Sequence, residues 1–388
     1  MSLAAQSQSK TVTDPVRVMV VDDSVVARGL MARWIDEDPA LAVVGTFRTG
    51  KLAVEGILGA NPDVVVLDIE MPDMDGLTAL PLLLKAKPGV RVVMASTLTR
   101  RNAEISLKAL SLGATDYLPK PESNAGVSTS TEFRRELVEK VKALGAKRSS
   151  GRRTLRAVPA SPSTDGKARQ PAETGKTALD GLAEKANLRR WSSSMPRILA
   201  IGSSTGGPQA LSKVMSVVGP AAHKVPIVIT QHMPSTFTAI LAENLGRAAD
   251  LPSAEGEHGE PLKPGRIYVA PGGKHMVIRN EGGNHVIALE DGPPVNFCKP
   301  AVDPLFDSVA EHFGSAVLAA VLTGMGHDGG KGAVTISDAG GSVVAQDEAS
   351  SVVWGMPQAV VQNNACAAIL PLDTLGQTLA RVLKGGRP

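Results

Sequence analysis

Short apolar runs alternate with amphipathic helical patterns through the first 145 residues of the chain. Each run holds five or six residues and is bounded by polar or turn-forming residues, a pattern typical of buried strands. Alternating strand and helix signals predict a parallel sheet with helices on both faces. The predicted strands are RVMVV at 17–21, AVVGTF at 42–47, VVVLDI at 64–69, VRVVMA at 90–95 and DYLPK at 116–120, and the last helical pattern is TEFRRELVEKVKAL at 131–144.

The same alternation resumes near residue 196 and continues to residue 388, which predicts a second doubly wound parallel sheet. One segment, at 275–290, differs from this pattern. Two runs of alternating apolar and polar residues flank Gly282 and Gly283 there, which predicts an inserted β-hairpin. The predicted strands are RILAIG at 197–202, VPIVIT at 225–230, RIYVA at 266–270, VLAAVLTG at 317–324 and SVVAQD at 342–347.

The composition changes between the two halves. Residues 146–195 contain eleven Lys and Arg against four Asp and Glu, a charge of +7, which leaves −4 for the rest because the whole chain carries +3. This segment is rich in Ser, Pro, Gly and Ala, and it has too few aliphatic residues to offset the entropy of ordering. We expect a flexible basic linker between domains at 16–145 and 196–388. The alternative to a solvated tether is a contact with an acidic surface or lipid headgroups.

Several classes of protein are excluded by composition. The first 14 residues, MSLAAQSQSKTVTD, lack the basic and apolar regions of a signal peptide, and no apolar run approaches the roughly 18 to 20 residues that span a bilayer. We therefore expect a cytoplasmic protein without direct membrane insertion. Cys298 and Cys366 lack metal-type spacing and are expected to be packed thiols. The second half has no basic cluster, so no nucleic-acid partner is expected.

Acidic residues stand where the apolar runs of the first half end. Asp22 and Asp23 follow the first run and Asp68 closes the third. Carboxylates that converge at one rim of a sheet repel one another unless a cation neutralises them, and such oxygen ligands suit Mg²⁺. Lys120, after the last run, could neutralise a phosphoryl group, and Ser96 offers a hydroxyl at the same rim. Singly, an Asp after a strand is more often a turn residue or a helix cap.

Three reactive side chains follow apolar runs of the second half. Ser204, His232 and Asp328 have the chemical types of a nucleophile, a base and an orienting acid. Because the carboxyl ends of parallel strands form one rim, these distant residues can meet there. The pattern predicts a serine hydrolase. The three segments are IGSSTGGP at 201–208, VITQHMP at 228–234 and LTGMGHDG at 322–329.

Each of these assignments has an alternative. GSSTGGP taken alone could cradle a phosphate, although it lacks the lysine of a P-loop. Asp347 and Glu348 also follow a strand-like run and are rivals of Asp328. His232 directly follows a buried-strand pattern, whereas three other histidines do not. These are His258, His275 and His327.

Residues 16 to about 122 resemble a response-regulator receiver domain. The resemblance implies a flavodoxin-like fold with Asp68 as the phosphoryl acceptor. It also implies a Mg²⁺ site made by Asp23, Asp68 and the carbonyl of Glu70, with Asp22 supporting the metal through water. The motifs that carry the resemblance are VDDS at 21–24, LDIEMPDMDG at 67–76, MAS at 94–96 and GATDYLPKP at 113–121.

The same resemblance assigns the residues that respond to phosphorylation. Ser96 and Tyr117 are implied as the switch pair, and Lys120 as the contact of the phosphoryl group. The phosphodonor would be a histidine kinase of the CheA type.

From about residue 197 onward the chain resembles the catalytic domain of the CheB-type chemotaxis methylesterases, a Rossmann-like serine hydrolase fold. The resemblance assigns Ser204, rather than Ser203 or Thr205, as the nucleophile. The backbone amides of Thr205 and Met325 are the oxyanion-hole candidates. Besides the segments of Ser204, His232 and Asp328, the motifs are YVAPGGKHM at 268–276, VDPLFDSVA at 302–310 and AQDEASSVVWGMP at 345–357.

The two resemblances together imply a phosphorylation-activated enzyme. It would hydrolyse glutamyl methyl esters on the helices of methylated chemoreceptors, release methanol, and deamidate receptor glutamines, with Mg²⁺ in the receiver and no cofactor in the catalytic domain. The alternative from another class is a non-catalytic signalling adaptor that kept the hydrolase fold. A DNA-binding regulator would need a basic recognition surface in the second half, and the sequence shows none.

Overall fold

The computed structural model describes residues 14–97, 99–121, 130–152 and 187–388. Within those ranges, no helix combines the length and the apolar character needed to cross a bilayer. The described residues form two large parallel sheets, and each sheet with the helices that connect its strands is called a unit here. Most of the predicted linker, at 153–186, lies outside the described residues, so its boundaries stay a prediction.

The sheet of the first unit has five strands in the order β2-β1-β3-β4-β5. The pairs β1–β2, β1–β3 and β3–β4 are parallel, as the alternating pattern predicts. The strands are β1 Val16–Val21, β2 Leu41–Phe47, β3 Val64–Asp68, β4 Arg91–Thr97 and β5 Asp116–Lys120, and the helices are α1 Val25–Asp36, α2 Gly50–Ala60, α3 Gly76–Ala86, α4 Arg100–Ser111 and α5 Thr131–Arg152.

Polar N-cap side chains start the first four helices directly after the strand ends. In each case a side-chain oxygen accepts a hydrogen bond from a backbone N–H of the first turn, which otherwise has no partner within the helix. A capped helix thus follows each of these strands, and the carboxyl ends of the strands share one rim because their pairing is parallel. The four caps are Ser24, Thr49, Asp75 and Thr99.

The second unit has a seven-stranded sheet in the order β14-β13-β12-β6-β7-β9-β8. Every neighbouring pair in it is parallel. Two short edge strands, β8 and β14, are additions to the five strands predicted from the apolar runs. The sheet strands are β6 Ile198–Ser203, β7 Ile227–Gln231, β8 Ser253–Glu255, β9 Ile267–Val269, β12 Val317–Val321, β13 Ser342–Gln346 and β14 Ala368–Leu370, and the helices are α6 Gly207–Val218, α7 Ser235–Ala249, α8 Val302–Phe313, α9 Gly330–Asp338, α10 Gly355–Gln362 and α11 Leu372–Leu383.

The predicted hairpin forms a separate two-stranded antiparallel sheet. Its strands are β10 His275–Glu281 and β11 Asn284–Glu290. Gly282 and Gly283 join them with φ of 57° and 85°, values that glycine adopts without steric cost.

The position of β6 determines where the site of the second unit can form. From β6 the chain first adds β7 on one side and later returns to add β12 on the other. The strand order therefore reverses at β6, and in open α/β sheets the crevice at such a reversal, beyond the carboxyl ends of the strands, is where ligands bind. The loops after β6, β7 and β12 all reach this crevice. They carry Ser204, His232 and Asp328.

Candidate active site

Ser204 lies in a tight turn between β6 and α6. Its N–H donates to Thr323 O at 3.1 Å, and its carbonyl accepts from Gln231 Nε2 at 2.9 Å. The turn closes with Gly207 N–H donating to Ser204 O at 2.7 Å. A Cβ on Gly207 would lie 1.9 Å from Gln231 Oε1, so a larger residue at this position would displace the side chain of Gln231. Backbone and side-chain contacts from two neighbouring strand ends thus determine the position of the serine.

His232 follows β7 directly and lies at the same rim. Its backbone N–H donates to Ser203 O at 3.1 Å, which places it beside the serine turn. The ring is engaged at both nitrogens. Nε2 lies 2.8 Å from Asp328 Oδ2, and Nδ1 lies 3.3 Å from Cys298 Sγ. Among the described residues, Ser204 Oγ forms no hydrogen bond with this ring.

Asp328 accepts hydrogen bonds from four groups. One is the ring of His232, and two are the backbone N–H groups of Val302, at 2.6 Å, and Asp303, at 3.2 Å. The fourth is Asn296, whose Nδ2 lies 2.9 Å from Asp328 Oδ1. Because α8 begins at Val302, the carboxylate sits at a helix N-terminus, where negative charge is favoured.

The pKa values of this pair move apart. Burial by itself raises the pKa of Asp328, but the hydrogen bond and charge of His232, with the donors Val302 and Asn296, lower it to about 2. Burial lowers the pKa of His232, but its hydrogen bonds with Asp328 and Cys298 outweigh this and raise it to about 10. Each partner thus favours the charged form of the other, the imidazolium of His232 and the carboxylate of Asp328.

One oxyanion-hole candidate, Thr205, directly follows the serine, and the other, Met325, lies in the loop after β12. In the part of the chain that the structure describes, the backbone N–H groups of Thr205 and Met325 donate no hydrogen bond, which leaves both available to a ligand. The loop of Met325 passes close to the nucleophile, since a Cβ on Gly324 would lie 2.9 Å from Ser204 Cβ. Both candidates therefore have a free donor near Ser204.

The alternative candidates for the acid and the base make contacts of other kinds. Asp347 accepts from Ser350 N–H at 3.0 Å and closes a turn of its own. His275 is buried, and its Nδ1 accepts from Ala301 N–H at 3.2 Å while Nε2 lies 3.0 Å from Pro293 O. His275 thus ties together the two ends of the segment that carries Asn296 and Cys298. His327, next to the acid, is exposed.

Three residues of this site were not among the candidates from the sequence. They are Asn296, Cys298 and Asp303, in or just after the PVNFCKP segment. Cys298 is a partner of the His232 ring rather than a simple packed thiol. Asn296 Nδ2 also lies 3.0 Å from Asp303 Oδ2, so one amide bridges two carboxylates. The segment has no strand pattern, and a search for side chains after apolar runs passes over it.

The acidic residues of the first unit also converge. Asp22, Asp23 and Asp68 each place a carboxylate oxygen within 4.8 Å of the others. Lys120 Nζ lies 2.7 Å from Asp68 Oδ1 and 3.1 Å from Asp22 Oδ2. Burial, with a smaller contribution from the charge of Asp22, raises the pKa of Asp68 to about 6 against the opposing effect of Lys120.

This cluster fits a hard divalent cation. Three carboxylates in reach of one point supply the oxygen ligands that Mg²⁺ prefers, and a bound cation would remove their mutual repulsion. Lys120 compensates part of that charge. Of the other residues assigned by resemblance, Glu70 is exposed, whereas Ser96 and Tyr117 are buried.

The comparisons with known proteins agree with this two-part arrangement. The family model of the CheB methylesterase matches residues 199–379, and that of the response regulator receiver domain matches residues 18–130. Among solved structures, the Thermotoga maritima CheB methylesterase catalytic domain is 38% identical and spans 48% of this chain and 98% of its own, with a TM-score of 0.46.

Curated relatives extend over nearly the whole chain. The protein-glutamate methylesterase/protein-glutamine glutaminase of group 2 operon of Rhodopseudomonas palustris is 54% identical over 96% of both chains. Its counterpart of group 2 operon in Bradyrhizobium diazoefficiens is 52% identical over 98% of this chain and 97% of its own. Since both parts of the chain and their order are shared, the chain belongs to the protein-glutamate methylesterase/protein-glutamine glutaminase family with an N-terminal receiver domain.

Proposed function

We propose that this protein-glutamate methylesterase and protein-glutamine glutaminase acts through Ser204, His232 and Asp328, and that phosphorylation of Asp68 regulates it. The observation that carries the catalytic part is the 2.8 Å contact of His232 with Asp328 at the rim that also holds Ser204. A base held by an acid beside a serine is the arrangement that acyl transfer requires.

The contacts of the ring support Nδ1 of His232 as the nitrogen that takes the proton. Nε2 faces Asp328, so Nδ1 is the nitrogen left for Ser204, and Cys298 has to release it when substrate binds. Among the described residues Ser204 Oγ makes no hydrogen bond with the ring, which agrees with such a step, since catalytic hydrogen bonds often form only with substrate present. The unprotonated form of His232 is the one that acts.

The reaction then proceeds in two halves. Ser204 Oγ attacks the ester carbonyl while Nδ1 of His232 takes its proton, and the tetrahedral oxyanion is held by the amides of Thr205 and Met325. Collapse of this intermediate expels methanol, which receives the proton from His232. Water attacks the resulting acyl-enzyme with His232 again as the base, and the receptor glutamate and free Ser204 are regenerated.

Glutamine deamidation follows from the same site. The amide carbonyl is attacked in the same way, and the proton held on His232 passes to the leaving nitrogen, so that ammonia departs instead of methanol. The acyl-enzyme and its hydrolysis are then identical for both substrates.

Regulation is assigned to the acidic cluster of the first unit. Asp68 would accept a phosphoryl group from a histidine kinase of the CheA type. Asp23, Asp68 and the carbonyl of Glu70 would hold Mg²⁺, with Asp22 supporting the ion through water. When bound, the ion neutralises charge on the phosphoryl oxygens. The phosphoryl group adds nearly two negative charges beside Lys120, and the responding residues would be Ser96 and Tyr117.

The decisive experiment measures methanol release from methylated receptor membranes. Ser204→Ala should reduce kcat by roughly 10⁴- to 10⁶-fold without loss of folding, as in other serine hydrolases. Cys298→Ala is the matched comparison, because Cys298 also touches His232. If Cys298→Ala abolishes release and Ser204→Ala retains more than a tenth of it, the nucleophile is wrong. If the wild-type protein releases no methanol, the non-catalytic adaptor is the better description.

A further inference from the structure

A tight turn at Val295–Cys298 contacts His232 and Asp328 of the candidate active site. Val295 N–H donates to Cys298 O at 3.1 Å, and Cys298 N–H donates to Val295 O at 2.9 Å. The two central residues, Asn296 and Phe297, have φ of 52° and 64°. Two successive left-handed residues between such a bonded pair are typical of a type I′ turn.

Phe297 is an unfavourable choice for this position on two grounds. The second central residue of a type I′ turn is usually glycine, because the left-handed region is crowded for a residue with a bulky side chain. Phe297 is also 76% exposed, the largest exposed fraction among the exposed large hydrophobic residues of the described chain. Strained and exposed residues of this kind persist mainly where a function needs them.

The neighbours of Phe297 place it at the catalytic rim. On one side Asn296 donates to Asp328 at 2.9 Å, and on the other Cys298 lies 3.3 Å from His232 Nδ1. Consecutive Cα atoms are about 3.8 Å apart, so the backbone of Phe297 lies one residue from two groups that hold the triad. The turn cannot shift far without disturbing both contacts.

The substrate of the proposed reaction needs a contact outside the crevice. A glutamyl side chain can extend inward to Ser204, but the polypeptide that carries it stays at the mouth. An exposed aromatic ring there offers apolar area at low entropic cost, which is why aromatic residues dominate binding surfaces.

We propose that Phe297 binds the receptor polypeptide by packing its ring on an apolar side chain next to the modified glutamate. This inference rests on the proposed function. It makes Phe297 a residue for selection of the protein substrate, distinct from the groups that carry out the chemistry.

The test compares two substrates, methylated receptor membranes and the small ester p-nitrophenyl acetate. Phe297→Gly removes the ring and suits the left-handed backbone, so the melting temperature should not fall. We expect KM for receptor membranes to rise at least fivefold, and the preference for receptor over the small ester, in kcat/KM, to fall by the same factor. Phe297→Tyr keeps the ring and should keep the preference.

Leu188→Ala is the matched control, because Leu188 is also an exposed apolar residue but lies far from the rim. The next residue, Arg189, donates its backbone N–H to Cys366 O, just before β14 begins, at the opposite end of the sheet. Leu188→Ala should leave the preference unchanged. The inference is overturned if Phe297→Gly changes the preference less than twofold, or if it reduces hydrolysis of both substrates equally. A failure of the proposed function is separate, since then Ser204→Ala would hydrolyse receptor esters as fast as the wild-type protein.

Discussion

At the scale of single residues, the chemistry of this site centres on a histidine held at both nitrogens. Asp328 is itself surrounded by donors, so it stays ionised although it is buried. In the proposed reaction Asp328 would therefore orient the ring and stabilise its charged form without taking the proton.

Replacing the acid should be far more damaging than replacing its rival. Asp328→Asn keeps the shape, but its amide group would face donors on one side and favour the wrong tautomer of His232. We expect kcat to fall on the order of 10⁴-fold, by analogy with other triads. Methanol release measures this, and Asp347→Asn is the control. The assignment of the acid is contradicted if Asp347→Asn costs more than Asp328→Asn.

The pH dependence of kcat/KM should change when Cys298, the thiol beside His232, is replaced. Since the unprotonated ring is the active form and its pKa is raised, kcat/KM should increase with pH and its acid limb should lie above pH 6.5, the ordinary value. Cys298→Ala removes one of the hydrogen bonds that raise this pKa, so the limb should move to lower pH. Cys366→Ala, in the core, should leave it in place. A limb unmoved by Cys298→Ala would argue against this role of the thiol.

At the scale of elements, the site depends on how closely the loops after β6, β7 and β12 approach one another. The side chain of Gln231 connects them, because it accepts from Ser203 Oγ at 2.7 Å and donates to Ser204 O at 2.9 Å. Gly207 at the start of α6 leaves room for this side chain.

Gly207→Ala should therefore disturb both stability and activity. The new Cβ would displace Gln231, and overpacking of this kind costs about 1 to 3 kcal/mol of the free energy of unfolding. The free energy of unfolding, measured with denaturant, and kcat for methanol release should both fall. Gly376→Ala is the control, since Gly376 lies inside α11 and a Cβ there would meet Val217 at an ordinary 3.6 Å. Equal effects of the two substitutions would show that the serine turn has no special need for glycine.

At the scale of the whole molecule, two units with separate sheets and separate sites are joined in one chain. The buried Asp68 and Lys120 pair is the feature of the first unit that a phosphoryl group would change most, because Lys120 balances two carboxylates in the resting site. If phosphorylation of Asp68 changes the activity of the site in the second unit, the two sites are energetically coupled.

Loss of Asp68 should remove the response to a small phosphodonor. A coupling of about 1 to 3 kcal/mol corresponds to roughly 5- to 150-fold activation of methanol release. Asp68→Asn in the full chain should stay at the resting level, whereas Asp73→Asn, at an exposed left-handed position that suits asparagine, should respond normally. Activation that persists in Asp68→Asn would contradict this assignment.

A deletion then distinguishes two ways in which the receiver could act. If the unphosphorylated receiver inhibits the enzyme, removal of residues 1–145 should raise basal activity. If the phosphorylated receiver stimulates it directly, the deleted form should be no more active than the resting full-length protein. In both cases the deleted form should no longer respond to the phosphodonor.

The sequence by itself determined the two sheets and the rim residues, because buried parallel strands require continuous apolar runs that end where polar chemistry begins. Ser204, His232, Asp328 and Asp68 all stand at such ends. The short edge strands β8 and β14 were not predicted, because a strand of three residues is too short to show an apolar pattern in the sequence.

Tertiary structure alone decided what surrounds His232 and Asp328. Asn296, Phe297 and Cys298 belong to a loop without periodicity. They reach the rim because Val302, the first residue of α8, donates to Asp328 and because His275 ties both ends of that loop. Which ring nitrogen faces the acid, and which faces a thiol, depends on distances of about 3 Å between segments far apart in sequence. No pattern along the chain encodes such distances, because they are set by the packing of the whole unit.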